Sequence, residues 1–165
     1  MRIAVYPGTF DPMTCGHLDL AARGIKCFDR LILAVADSTP KSPLFSTKER
    51  VKLARASIAA AGIDVEVDVF SGLLVDYVRR KKAGFILRGV RAFSDFEFEF
   101  PMALINRHLA PDIETLFLMP SEDLSYVSSA RVREIARLGG DVSRFVPPCV
   151  LPHLVKRARK MKPGG

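Results

Sequence analysis

Residues 1–17, MRIAVYPGTFDPMTCGH, read as a short strand, a tight loop and a histidine on the first turn of a helix. That order brings a backbone turn, the Thr9 hydroxyl and the His17 imidazole to one helix N-terminus. Free N–H groups and the positive end of the helix dipole attract phosphate there. The stretch therefore predicts a nucleotide or another phosphate ester as ligand, with His17 placed to stabilise charge on a reacting phosphoryl group. Gly8 suits a sharp turn after the strand and Gly16 a close approach of backbone to ligand. Asp11-Pro12 fixes the loop between them. A lone histidine is most often structural; the setting of Thr14-Cys15-Gly16-His17 singles this one out.

Outward from this stretch, apolar runs alternate with helical patterns. Strands are expected over 2–6, 31–36, 65–70, 85–87 and 114–119. Helices are expected over 17–28, from the Ser46-Thr47-Lys48-Glu49 capping box to 61, over 73–82, from a second capping box at Ser94–Glu97 to 109, from Ser128 or Ser129 to 138, and over 151–161. The pattern predicts an α/β fold, a Rossmann-like, doubly wound, five-stranded parallel sheet. Residues 1–165 form a single domain in this reading, with a basic C-terminal helix and tail at about 151–165. Segments 8–17, 37–41, 88–91 and 120–129 all fall at strand ends, where such sheets bind ligands.

A chain of 165 residues with 48% hydrophobic and 26% charged side chains suits one soluble domain. No apolar run approaches the roughly 18 residues of a membrane span, and no export signal is recognisable, so a cytoplasmic location is expected. The three cysteines, Cys15, Cys27 and Cys149, lack zinc-ligand spacing and are expected as free thiols. A net charge of +7 points to anionic partners. Much of the excess sits in Lys156, Arg157, Arg159, Lys160 and Lys162, with no aromatic residue interleaved. These read as a solvated helix face, so neither nucleic acid nor membrane is an expected partner.

Three further groups carry candidate chemistry. Arg88 and Arg91, three apart after a strand, suit multidentate phosphate binding. Asp95, Glu97 and Glu99 downstream either face ligand or merely favour a helix start. Ser128 and Ser129 cap a helix and offer a second phosphate nest. Lys41, in the loop after the second strand, supplies a point charge toward the same crevice.

GTFDPMTCGH resembles the first motif of the nucleotidyltransferase superfamily that carries a TxGH signature. Together with TPKSPLFSTKERV, ILRGVRAFSDFEFE, NRHLAPDIETLFLMPS and YVSSARVREIA, it makes the chain similar to the phosphopantetheine adenylyltransferases, in order and as far as the basic tail. The resemblance implies transfer of AMP from ATP to 4′-phosphopantetheine, giving dephospho-coenzyme A and pyrophosphate. It implies catalytic roles for Thr9, His17, Lys41 and Arg88. It implies ATP contacts from Thr9, Phe10, His17, Gly89, Val90, Arg91, Glu99, Leu124, Ser125, Tyr126, Val127, Ser128, Ser129 and Ala130. Acceptor contacts fall on Thr9, Lys41, Arg88, Leu74, Asn106 and Glu134. It further implies magnesium with no dedicated protein ligands, a homohexamer, and coenzyme A as a feedback ligand. Phe98, Ala130 and Ser42 depart from the family's usual Tyr, Ser or Thr, and Lys. The nearest rival is a related adenylyl- or cytidylyltransferase acting on nicotinate mononucleotide or a polyol phosphate. More distant rivals are a nucleic-acid-binding protein and a silent nucleotide sensor.

Overall fold

β1 (Ile3–Gly8) lies at the centre of the sheet, and everything that matters for the site happens at its carboxyl end. The computed structural model describes residues 1–37 and 43–160; Lys41 and Ser42 lie outside the described residues. The other strands are β2 (Arg30–Ala36), β3 (Glu66–Phe70), β4 (Phe85–Gly89) and β5 (Glu114–Leu118). All pair in parallel, in the order β3-β2-β1-β4-β5. The helices are α1 (Cys15–Cys27), α2 (Thr47–Ala60), α3 (Leu74–Arg80), α4 (Phe93–Leu109), α5 (Ser129–Arg137) and α6 (Leu151–Lys160). The chain winds outward from β1 to β3, then returns to place β4 on β1's other side. The strand order reverses there, opening a crevice between the ends of β1 and β4. The expected doubly wound, Rossmann-like sheet is the one observed.

Both faces of β1 are covered. Ala4 and Tyr6 pack with Leu33, Val35, Leu87 and the apolar sides of α1, α2, α5 and α6. Ile3 and Val5 point the other way, into a cluster with Ile32, Ile86, Val75, Val78 and Ile113. Burial on both faces is why these strands read as continuous apolar runs.

Three local expectations need correction. α1 begins at Cys15, with Thr14 as its cap. β4 continues through Arg88 and Gly89, which pair with Phe117 and Leu118. The capping box expected at Ser94–Glu97 does not form: α4 starts at Phe93, its N-cap Ala92 makes no side-chain cap bond, and Asp95 turns back to Arg91. A two-pronged bond to a guanidinium outcompetes a neutral serine cap. Among α4's residues only Asn106 is buried. No helix among the described residues is long and apolar enough to cross a membrane.

Candidate active site

The loop after β1 is held from three sides. Arg50, from α2, is fully buried and donates to the carbonyls of Thr9 (2.8 Å), Ala36 (2.8 Å) and Phe45 (3.1 Å) and to Thr47 Oγ1 (2.9 Å). The buried Asp11 carboxylate accepts from the backbone N–H of Leu44 (2.7 Å) and Phe45 (2.9 Å). Ser129 Oγ, at the start of α5, donates to the Pro12 carbonyl at 2.7 Å, and Arg133 bonds the Asp11 carbonyl. Sequence reasoning missed Arg50: nothing in Thr47-Lys48-Glu49-Arg50 marks it as buried.

Phe10 carries the local strain. Its φ is +50°, a region that disfavours bulky side chains. The ring is buried and stands edge-on to Tyr6 (5.4 Å between centroids) and to His17 (5.0 Å). It also lies against Gly8, where a Cβ would come within 2.9 Å of it. Gly8 therefore makes room for this ring; its φ is not among the positive ones, so the expected sharp turn is not its role.

His17 closes a capping box on α1. The Thr14 N–H donates to His17 Nδ1 at 3.0 Å, while the His17 N–H donates to Thr14 Oγ1 at 3.4 Å. Because Nδ1 accepts, the ring proton sits on Nε2. Burial first, then the charges of Arg91 and Arg88, push its pKa down to about 4. At neutral pH His17 is an uncharged hydrogen-bond donor lining the cleft. The Cys15 N–H is taken by the Phe145 carbonyl (2.9 Å).

From the other wall, Arg88 donates Nε to Glu99 Oε2 at 2.7 Å, Nη2 to Glu99 Oε1, and Nη1 to the Pro7 carbonyl at 2.9 Å. Arg91 donates Nε (2.8 Å) and Nη2 (3.0 Å) to Asp95, and Nη1 to the Val127 carbonyl (2.8 Å). A guanidinium has five N–H donors. Each arginine uses three, which leaves each with two for a ligand. Glu99, given as a nucleotide-site carboxylate, is Arg88's bidentate partner. Burial would raise the Asp95 carboxyl, but the hydrogen bonds and charge of Arg91 outweigh it and hold that carboxyl below its ordinary range.

Thr9, Phe10, His17, Arg88, Gly89, Arg91, Glu99, Val127, Ser128 and Ser129 line one cleft of about 250 Å³. Ser128 Oγ caps α5 by accepting from the Arg131 N–H. Val90 instead bonds β5 through its N–H to Leu118. Leu124 and Ser125 belong to a single 3-10 turn and its cap, and Tyr126 is exposed against Phe145. Ala130 and Glu134 line a second cavity of about 420 Å³ with Leu44, Arg133, Arg137 and Ala158. Leu74 packs on the α3 side of the sheet, and Asn106 is buried on α4. Neither Leu74, Asn106 nor Glu134 lines the first cleft. Phe98 is exposed.

The cytidylyltransferase-like family matches residues 5–135. A relative from Thioalkalivibrio sulfidiphilus, named phosphopantetheine adenylyltransferase, is 57% identical over 155 residues, covering 94% of this chain and 97% of its own. Another of that name, from Opitutus terrae, is 53% identical and covers 91% and 93%. A bifunctional NMN adenylyltransferase/ADP ribose pyrophosphatase from Francisella tularensis superposes with a TM-score of 0.71 at 17% identity, over 94% of this chain and 49% of that one. That likeness is one of fold. Identity above half over nearly the whole length, on a TxGH loop facing two arginines across the sheet's reversal point, settles the family: this chain belongs to the phosphopantetheine adenylyltransferases.

Proposed function

We propose that this cleft transfers the adenylyl group of ATP to 4′-phosphopantetheine, forming dephospho-coenzyme A and releasing pyrophosphate. The observation that carries the reading is the convergence of one uncharged donor, His17 Nε2–H, with Arg88 and Arg91 in a single crevice. An acceptor phosphate oxygen attacks the α-phosphorus, and the bond from that phosphorus to the β-phosphate's bridging oxygen breaks. The acceptor is already nucleophilic, since a phosphate monoester's second ionisation lies near about 6. No general base is needed; positioning and electrostatics carry the step. His17 donates to an oxygen on the α-phosphorus or to the bridging oxygen as charge grows there. Arg91 and the start of α5 take the outer phosphates. Arg88, with Lys41, takes the acceptor phosphate. Leu74, Asn106 and Glu134 are proposed for the acceptor's arm.

Magnesium belongs to the same reading. No three His, Cys, Asp or Glu side chains converge as a metal cage among the described residues, and Glu99 is committed to Arg88. A donor set of this kind suits an ion held by the nucleotide's own phosphates and waters. When bound, it neutralises triphosphate charge. A homohexamer is proposed too: α4 leaves Phe98, Met102, Ile105 and Leu109 exposed along one side, an apolar face that other copies would cover. Coenzyme A, which shares the pantetheine arm, is proposed as a feedback competitor, and the cytoplasm as the location.

The test is pyrophosphate release with ATP and magnesium against a panel of acceptors. Release is expected with 4′-phosphopantetheine. Equal or better turnover with nicotinate mononucleotide would overturn the assignment.

A further inference from the structure

Tyr6 has no task in the reaction just described. It sits on β1, is only 4% exposed, and still lines the cleft. Its ring meets Phe10 edge-on, and Phe10 meets His17 in the same way, so the three form one row beside the loop. Its hydroxyl makes no hydrogen bond among the described residues. Every fully enclosed side-chain polar atom among them is bonded, so the Tyr6 oxygen is in reach of the cleft's open space. Burial, set against the nearby positive charges of Arg88 and Arg91, holds the phenol well above its ordinary range. It remains an O–H donor at any working pH.

Packing alone does not account for the oxygen. A phenylalanine would fill the same place against Ala4, Leu20 and Phe10. A buried hydroxyl without a partner is costly once water leaves, because it gives up its solvent bonds for nothing. A ligand that fills the cleft displaces that water. Beside two guanidiniums it brings anionic oxygens.

We propose that the Tyr6 hydroxyl is a substrate-contacting group of this site, donating its O–H to a phosphate oxygen held alongside Arg88 and His17. The identity of that phosphate rests on the adenylyl-transfer reading. It comes from the nucleotide or from the acceptor, and the experiment tells the two apart.

The variant is Tyr6→Phe, which keeps ring, volume and both aromatic contacts. ATP and 4′-phosphopantetheine are each titrated calorimetrically into wild type and variant, and kcat and KM are measured for both. Loss of a hydrogen bond to a charged group predicts a fall of about 10- to 100-fold in affinity, or in kcat/KM, for one ligand. The ligand that weakens is the one whose phosphate Tyr6 holds. The melting temperature stays level or rises, since an unbonded hydroxyl has been removed. Affinities and kinetic constants within twofold of wild type for both ligands overturn the proposal. So does a lower melting temperature with undiminished affinity, which would make the hydroxyl structural. A wild type that binds ATP but releases no pyrophosphate with 4′-phosphopantetheine would instead sink the adenylyl-transfer reading, and weaker ATP binding by Tyr6→Phe would still uphold the contact.

Discussion

Replacing His17 by alanine and, separately, by glutamate divides two roles held by one ring. The first role is Nε2–H as a donor in the transition state. Losing one such oriented donor costs about 10²–10³ in kcat. The second is Nδ1 as acceptor for the Thr14 N–H in the α1 capping box. Thr14 is only 1% exposed, so alanine leaves a buried donor unmet, at about 1–3 kcal/mol. A chain of this size loses about 2–4 °C in Tm per kcal/mol, so His17→Ala should melt about 2–12 °C lower. Glutamate at the third helical position is a natural capping-box partner and restores that acceptor. It offers no donor to a phosphate. His17→Glu should therefore melt near wild type yet lose kcat as severely as alanine.

Pyrophosphate release and thermal melting on the same preparations make the comparison. A His17→Glu enzyme with near-normal kcat would refute the reasoning and reduce His17 to a loop-shaping residue. The pH dependence has a definite sign. His17 holds fewer protons in the folded than in the unfolded chain, because its pKa falls from about 6.5 to about 4. Its contribution to stability is present above about pH 6.5 and is lost as pH drops toward 4. An acid limb in kcat/KM near about pH 6 would then belong to the acceptor phosphate and not to His17.

Arg88→Lys exchanges the fork gripping Glu99 and the Pro7 carbonyl for a point charge, so KM for the acceptor should rise about tenfold or more by initial rates; an unchanged KM removes Arg88 from the acceptor site. Arg50→Leu strands the carbonyls of Thr9, Ala36 and Phe45 in the interior. At about 1 kcal/mol or more each, calorimetry should show a Tm at least about 6–12 °C lower. Deleting 156–165 removes the buried Ala158 and the Arg157 contacts with Glu49 and the Phe45 ring. The truncated chain should melt lower while its folded fraction keeps its kcat, because no residue lining the cleft is lost.

The central strands were legible because β1 and β2 are buried on both faces and read as continuous apolar runs; 31–36 could hardly be another element. The errors sit where a residue serves the site and the fold at once. β4 looked finished at Leu87 because Arg88-Gly89 reads as loop, although both residues pair with β5. The α1 start was hidden because a histidine fills the capping-box position usually held by an acid. At α4 the reverse occurred: Ser94 and Glu97 spell a capping box, and Asp95 is drawn to Arg91 instead. At β4 and α4 local propensity lost to a tertiary or charge-assisted partner, whereas at α1 the cap is local and only its histidine is unusual.

The arginines were visible in the sequence, but their charge state as a group was not. Arg88 and Glu99 are eleven residues apart, and only the angle at which α4 leaves the sheet brings them together. Arg91, just ahead of α4, finds Asp95 in that helix's first turn. Partly buried guanidiniums without counter-ions would be costly, so these carboxylates hold both forks in place before any ligand arrives. That is preorganisation, which favours the transition state because nothing need be reordered during the reaction. The four groups sum to zero charge. They orient phosphates and hydrogen-bond them, yet do little to neutralise them. Each incoming phosphate monoester carries about −1.5 to −2. In the proposed reaction, neutralisation therefore has to come from Lys41 and from a cation travelling with the nucleotide, while the residues around His17 set geometry.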